Sequence, residues 1–226
     1  AIIWESNDPK DKNRILSFNS LHEEVCRFVH VLNNNSVKKG DRICIYMPMV
    51  PEAAIAVLAC ARMGAIHSVV FGGYSAQSIA DRINDAQCSL VITADGGHRG
   101  SKDILLKDTI DEALQNTGHV KKVIVLKRLG NEISMKEGRD IWWHDEIKKV
   151  DTQGIKDRTA ESMDAEDILF ILYTSGSTGK PKGVVHTNAG YMVFTTYSFV
   201  NVFQYQPGQV YFCTADIGWI TGHSYT

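Results

Sequence analysis

The sequence predicts an α/β fold in which helices are layered on a mostly parallel β-sheet. Two observations carry that expectation: short, β-rich apolar runs alternate with helix-period segments, and the helix-period segments open on capping or proline signals. A third is size, since 226 residues with 44% apolar side chains leave room for a sizeable core in one large domain or two small ones.

Ser20 and Glu23 form a capping-box pattern, and Leu21, Val25, Phe28, Val29 and Leu32 then recur at helical spacing. Gly40-Asp41 turns the chain into a strand from Arg42 to Met47, and Pro48 and Pro51 introduce an alanine-rich helix ending near Gly64. His67 to Phe71 reads as a second strand, Gly72-Gly73 as a turn, and Ser75 as the cap of a helix reaching about Ala86. Ser89 to Thr93 is a third strand and Lys122 to Leu126 a fourth, with a glycine-rich loop from Asp95 to Gly100 and a Thr109/Glu112 capping box between them.

Lys127 to Ala165 is more polar and is the expected place for an excursion or subdomain boundary. Ile168 to Tyr173 is again an apolar strand, Gly183 to His186 is extended, and a helix starts near Asn188. A strand from Val210 to Thr214 and a loop from Asp216 to Gly222 complete the reading, with no repeat at solenoid spacing.

Charge and cysteine usage narrow the function. Lysine plus arginine (24) against aspartate plus glutamate (26) gives a net charge of −2, so no global positive field serves nucleic acid or an anionic membrane, and neither is expected as a partner. Cys26, Cys44, Cys60, Cys88 and Cys213 are odd in number and form no C-x-x-C pair, which favours a reduced, cytoplasmic setting. The longest apolar stretch, Ala53 to Ala61, is far below the ~18 residues that span a bilayer. The eight histidines show no H-x-x-x-H or H-E-x-x-H pattern, and no protein-bound catalytic metal is expected.

The strongest local signal runs from Tyr173 to Gly183: Tyr-Thr-Ser-Gly-Ser-Thr-Gly-Lys-Pro-Lys-Gly, directly after a strand. Glycines let a backbone approach an anion with its N–H groups, hydroxyls add donors, and Lys180 and Lys182 add charge, a combination suited to a polyphosphate. It is not a Walker A loop, because Gly176 and Gly179 enclose two residues where that pattern has four, and Pro181 stands in place of its Ser or Thr. The plainer alternative is an exposed serine-glycine turn.

This loop resembles the phosphate-binding signature of the AMP-forming adenylating enzymes. Further segments are similar to the short-chain acyl-CoA synthetases, and among them to the acetate–CoA ligases: Trp4-Glu5, Tyr46 to Ala54, Ala65 to Ser75, Gly138 to Trp143, and Thr214 to Tyr225. The resemblance covers nearly the whole chain. It implies the N-terminal part of the large domain of an AMP-forming acyl-CoA synthetase, with 1–226 a partial AMP-binding domain, the C-terminal remainder and small C-terminal domain absent, and the isolated piece inactive.

The implied activity is ATP-dependent ligation of acetate to coenzyme A through an acetyl-adenylate, releasing AMP and pyrophosphate. Propionate in place of acetate, or a non-catalytic nucleotide- and CoA-binding module, are the alternatives. By the same resemblance Thr174, Ser175, Gly176, Ser177, Thr178, Gly179 and Lys180 hold the phosphates of ATP, which brings Mg2+ with it. Arg99, Gly100, Ser101 and Lys102 contact the nucleotide end of CoA, and Trp219, Ile220 and Thr221 line the acyl pocket, with Thr221 also near the CoA thiol.

Lys102 departs from the usual second arginine and offers a point charge instead of a planar fork. On composition alone the basic loop reads as a solvated surface, and Trp219 and Ile220 as plain core residues. No catalytic side chain is assigned within the chain. His223 and Asp216 lie nearby, but a carboxylate substrate is already ionised at neutral pH and needs no base. Trp142-Trp143 reads as packing, since no basic residues interleave with it.

Overall fold

The computed structural model describes residues 1–7, 12–150, 159–174 and 181–226. A small antiparallel pair, β1 (Ile2–Trp4) and β2 (Arg14–Leu16), precedes α1 (Phe18–Asn34). The sheet is then built from β3 (Arg42–Tyr46), α2 (Pro51–Met63), β4 (Ile66–Val69), α3 (Ala76–Ala86) and β5 (Leu90–Ala94). A hairpin of β6 (Gly97–Arg99) and β7 (Lys102–Ile104) leads into α4 (Leu106–Ala113), followed by β8 (Lys122–Leu126), β9 (Asp140–Trp142) and α5 (Trp143–Lys149). Beyond them come β10 (Ile168–Thr174), β11 (Lys182–Thr187), α6 (Asn188–Asn201) and α7 (Ile220–Tyr225).

The central sheet has the order β11-β10-β4-β3-β5-β8-β9, parallel throughout except for antiparallel β11 at one edge. Every residue of β5 is buried, as befits a parallel strand covered on both faces. The chain steps from β3 outward to β4, then crosses back past β3 to β5. Right-handed crossovers therefore put α2 and α3 on opposite faces. In keeping with this, α1 packs on α2 and α5, whereas α3 packs on α4. Small side chains at Ala53, Ala56 and Ala59, all buried, allow α2 its close approach. Phe28 of α1 stacks on buried Trp143 with ring centroids 3.7 Å apart, so that tryptophan does pack the core.

Several sequence expectations shift. The N-cap of α1 is Ser17, whose side chain accepts from the Ser20 N–H at 3.1 Å; Ser20 is already helical and donates its hydroxyl to the Ser17 carbonyl. Thr109 likewise lies inside α4 and donates to the Leu105 carbonyl four residues back, because the chain leaving the β6–β7 hairpin starts the helix earlier. The glycine-rich loop after β5 contains that hairpin, turning at Gly100 with φ +60°. No strand forms over 210–214, where Val210 and Phe212 are 75% and 82% exposed, and Gly222 sits within α7 rather than a loop. Residues 127–150 do not leave the domain: β9 extends the sheet and α5 packs back on α1.

A buried charge cluster makes that return possible. The fully buried Lys107 ammonium of α4 meets Asp111 at 2.6 Å, Asp140 of β9 at 2.9 Å and the Ser134 carbonyl at 2.8 Å. Arg139 bridges both carboxylates. Burial pushes the Asp140 carboxyl up, but Arg139, the Lys136 N–H and Lys107 together hold it below its ordinary range.

Candidate functional site

In an open parallel sheet, ligands gather outside the carboxyl ends of the strands, where the order reverses. Here the reversal lies between β3 and β5. Their following loops touch: a Cβ built on Gly97 would fall 2.7 Å from the Pro48 Cβ, so glycine is what lets the hairpin lie against the β3 loop.

Asp95 anchors this arrangement. Its fully buried carboxylate accepts backbone N–H groups from Gly96 (2.7 Å), Arg128 (2.8 Å) and Leu129 (3.0 Å) on Oδ1, and from Gly130 (2.7 Å) on Oδ2. One side chain thereby ties the loop after β5 to the loop after β8. His98 and Asp103 add a 2.6 Å contact across the hairpin, and Asn7 donates to the Gly100 carbonyl at 3.1 Å.

The hairpin presents Arg99 over the ring of Phe71, which follows β4, at 5.1 Å. Trp219 also approaches Phe71, 6.0 Å away between ring centroids. Gly218 presses on the Phe71 backbone, since a Cβ there would lie 2.8 Å from its nitrogen. Asp216 accepts from the Gly218 N–H at 2.7 Å. Burial raises the Asp216 carboxyl above its ordinary value, opposed by that hydrogen bond and by the Arg99 charge. The Ile217 N–H meets Met49 Sδ at 3.3 Å, while Trp4 donates to the Met49 carbonyl at 2.8 Å, so the segment before α7 rests on the β3 loop.

The structure brings some of the sequence-predicted residues together and leaves others apart. Arg99 from the CoA set and Trp219 from the acyl set converge on Phe71. Gly100, Ser101 and Lys102 are exposed at the hairpin turn. Trp219, Ile220 and Thr221 open α7 in exposed positions, with Trp219 and Ile220 at 53% and 43%, so the plain-core alternative for them does not hold. Of the phosphate loop, Thr174 ends β10, where it pairs with Lys182 of β11 in the antiparallel ladder. Ser175, Gly176, Ser177, Thr178, Gly179 and Lys180 lie outside the described residues.

Tyr173, at the entry of that loop, donates its hydroxyl to Asp85 at 2.5 Å, and burial pushes its phenol pKa up. A cavity of about 370 Å³ is lined by Phe203, Tyr205, Gln209, Val210 and Tyr211, none of them a predicted site residue. Among the described residues no group of three or more His, Cys, Asp or Glu could hold a metal ion, and no helix is long and apolar enough to cross a membrane. Sequence reasoning assigned no role to Phe71 or Asp95. The only local signals were their places at strand ends beside paired glycines.

A family model described as AMP-binding enzyme matches residues 1–226. Acetyl-coenzyme A synthetase of Alkalilimnicola ehrlichii is 56% identical over 225 residues, and that of Bdellovibrio bacteriovorus 55% identical over the same length; each match covers 100% of this chain and 34% of the relative. The chain thus spans about a third of the length of these relatives. Among solved structures, acetoacetyl-CoA synthetase from Streptomyces lividans superposes with a TM-score of 0.85 at 25% identity, covering 94% of this chain and 32% of that one.

Proposed function

Because this chain belongs to the AMP-binding enzyme family, we propose that it forms part of an acetate–CoA ligase, an AMP-forming acid–thiol ligase. The observation that carries this reading is the meeting of Arg99 and Trp219 on Phe71 at the carboxyl edge of the sheet, next to the point where the strand order reverses. A cationic group and an apolar wall on one aromatic ring suit a substrate with a phosphorylated end and a small acyl end. Relatives named acetyl-coenzyme A synthetase, more than half identical over the whole chain, support the same substrates.

The chemistry has two steps. An acetate oxygen attacks the α-phosphorus of MgATP, the bond to the β-phosphate oxygen breaks, and pyrophosphate leaves. The thiolate of coenzyme A then attacks the acetyl carbonyl, the bond to the AMP oxygen breaks, and AMP leaves as the thioester forms. No side chain need become covalently bound, so the protein's work is positioning and charge stabilisation. Thr174 to Lys180 hold the departing phosphates, Arg99 to Lys102 hold the nucleotide end of CoA, and Trp219, Ile220 and Thr221 face the acyl group. The remaining groups of the reaction come from sequence beyond these residues in a longer polypeptide. A cytoplasmic setting fits the five free cysteines, four of them buried.

Arg99→Ala in the complete gene product tests the division of labour. It is expected to raise the KM for CoA at least about tenfold, while acetate-dependent ATP–pyrophosphate exchange, which needs no CoA, stays within about twofold. Equal loss in both assays contradicts the assignment.

A further inference from the structure

Behind the exposed start of α7 runs a chain of side-chain hydrogen bonds that the functional reading leaves without a role. His67 Nε2 of β4 lies 2.8 Å from His223 Nε2 of α7. His223 Nδ1 lies 2.8 Å from the hydroxyl of Tyr191 on α6, which donates to Ser224 Oγ at 3.1 Å. Phe170 of β10 stacks between His223 at 4.0 Å and His186 of β11 at 4.3 Å. Three elements, β4, α6 and β10, thus hold the His223 imidazole.

The direction of the chain follows from what each group can donate. A neutral imidazole has one N–H and one bare nitrogen. His67 is 1% exposed and its Nδ1 has no hydrogen-bond partner. A buried orphan N–H is rarer than an unfilled acceptor, so that nitrogen is the bare one. His67 Nε2–H therefore donates to His223 Nε2, His223 Nδ1–H donates to Tyr191, and Tyr191 donates to Ser224. Burial supports the neutral forms: it lowers His67 well below its ordinary pKa and, with the adjacent His186, lowers His223 to about 4.

The chain matters because of what it seats. α7 has six residues and no side-chain cap, too little to hold a direction by itself. The His223 backbone N–H donates at 2.8 Å to the carbonyl of Trp219, the first of the residues assigned to the acyl group. We propose that His67, His223 and Tyr191 are positioning residues: their hydrogen-bonded chain fixes α7 on β4 and α6, and so sets the depth at which Trp219, Ile220 and Thr221 meet the acyl group. This rests on the reading of that segment as an acyl pocket.

The test uses the complete gene product and its variants Tyr191→Phe, His223→Ala and His223→Gln, with KM and kcat for acetate, propionate and ATP from pyrophosphate exchange. His223→Ala is expected to raise the KM for acetate roughly tenfold and to change the acetate-to-propionate ratio of kcat/KM by at least about threefold, with the KM for ATP within about twofold. Tyr191→Phe shifts the ratio in the same direction by less. His223→Gln can still accept from His67 and donate to Tyr191, and recovers most of the loss.

An unchanged ratio in His223→Ala, or a KM for ATP that rises in step with that for acetate, overturns the proposal. Should His223→Ala not fold, an unchanged ratio in Tyr191→Phe overturns it instead. A wild-type protein with no carboxylate-dependent exchange overturns the acyl-activation reading itself, and is seen before any variant is compared.

Discussion

Asp95→Ala lowers the stability of the complete gene product by about 4 kcal/mol and weakens CoA binding with it. The carboxylate is fully buried and accepts four backbone N–H groups, all between 2.7 and 3.0 Å. Removing it leaves four donors facing a void, and hydrogen bonds to a charged group contribute roughly 1.5–3 kcal/mol each before the loops relax. Asp95→Asn keeps the shape but turns an amide N–H2 toward a ring of donors, so it loses roughly 2 kcal/mol instead of behaving as a neutral swap. The hairpin carrying Arg99 begins two residues later, at Gly97, and its position depends on the same bonds. Urea midpoints at unchanged slope and the KM for CoA read the two effects. An Asp95→Asn variant as stable as the wild type contradicts the account of this anchor.

Gly222→Ala removes acetate-dependent exchange by roughly a hundredfold or more. A Cβ at Gly222 would sit 2.0 Å from the Asp216 carbonyl oxygen and 2.4 Å from its carbon, both backbone atoms that no rotamer change can move aside. Helix α7 must therefore lift from the 215–216 turn, taking Trp219, Ile220 and Thr221 with it. Displacements of about 1 Å at a reacting centre cost on the order of 100-fold in rate. A Gly222→Ala protein with ordinary kcat and KM for acetate contradicts the close packing of α7. Gly73 makes a useful contrast, because its nearest neighbours are the far ends of Phe71 and Arg99, which can swing away.

The contrast between what the sequence discloses and what it hides follows the range of the interactions. Ser75 as a cap, Gly64 as a helix stop and Lys122 to Leu126 as a strand all stand where local chemistry places them. The α1 and α4 starts do not, since a capping-box pattern states only that two residues could close a turn, and the incoming chain decides which turn is first. Val210 to Thr214 has strand composition, yet no strand forms without a neighbour to pair with. The β6–β7 hairpin has arms of three residues, too short for alternation to be read.

At the site, Arg99 and Trp219 stand out in the sequence through resemblance alone. Their common contact with Phe71 spans more than a hundred positions along the chain and has no local signature. His223 illustrates the same limit from the other side. Sequence reasoning places it outside the chemistry, and only the fold shows it bonded to His67, 156 residues away.

The acetate–CoA ligase reading stands or falls on acetate-dependent exchange of labelled pyrophosphate into ATP by the complete gene product, with propionate run in parallel. Exchange is expected to require acetate, to proceed without CoA, and to run more slowly with propionate. Absence of exchange with acetate under conditions where the protein is folded would contradict that reading.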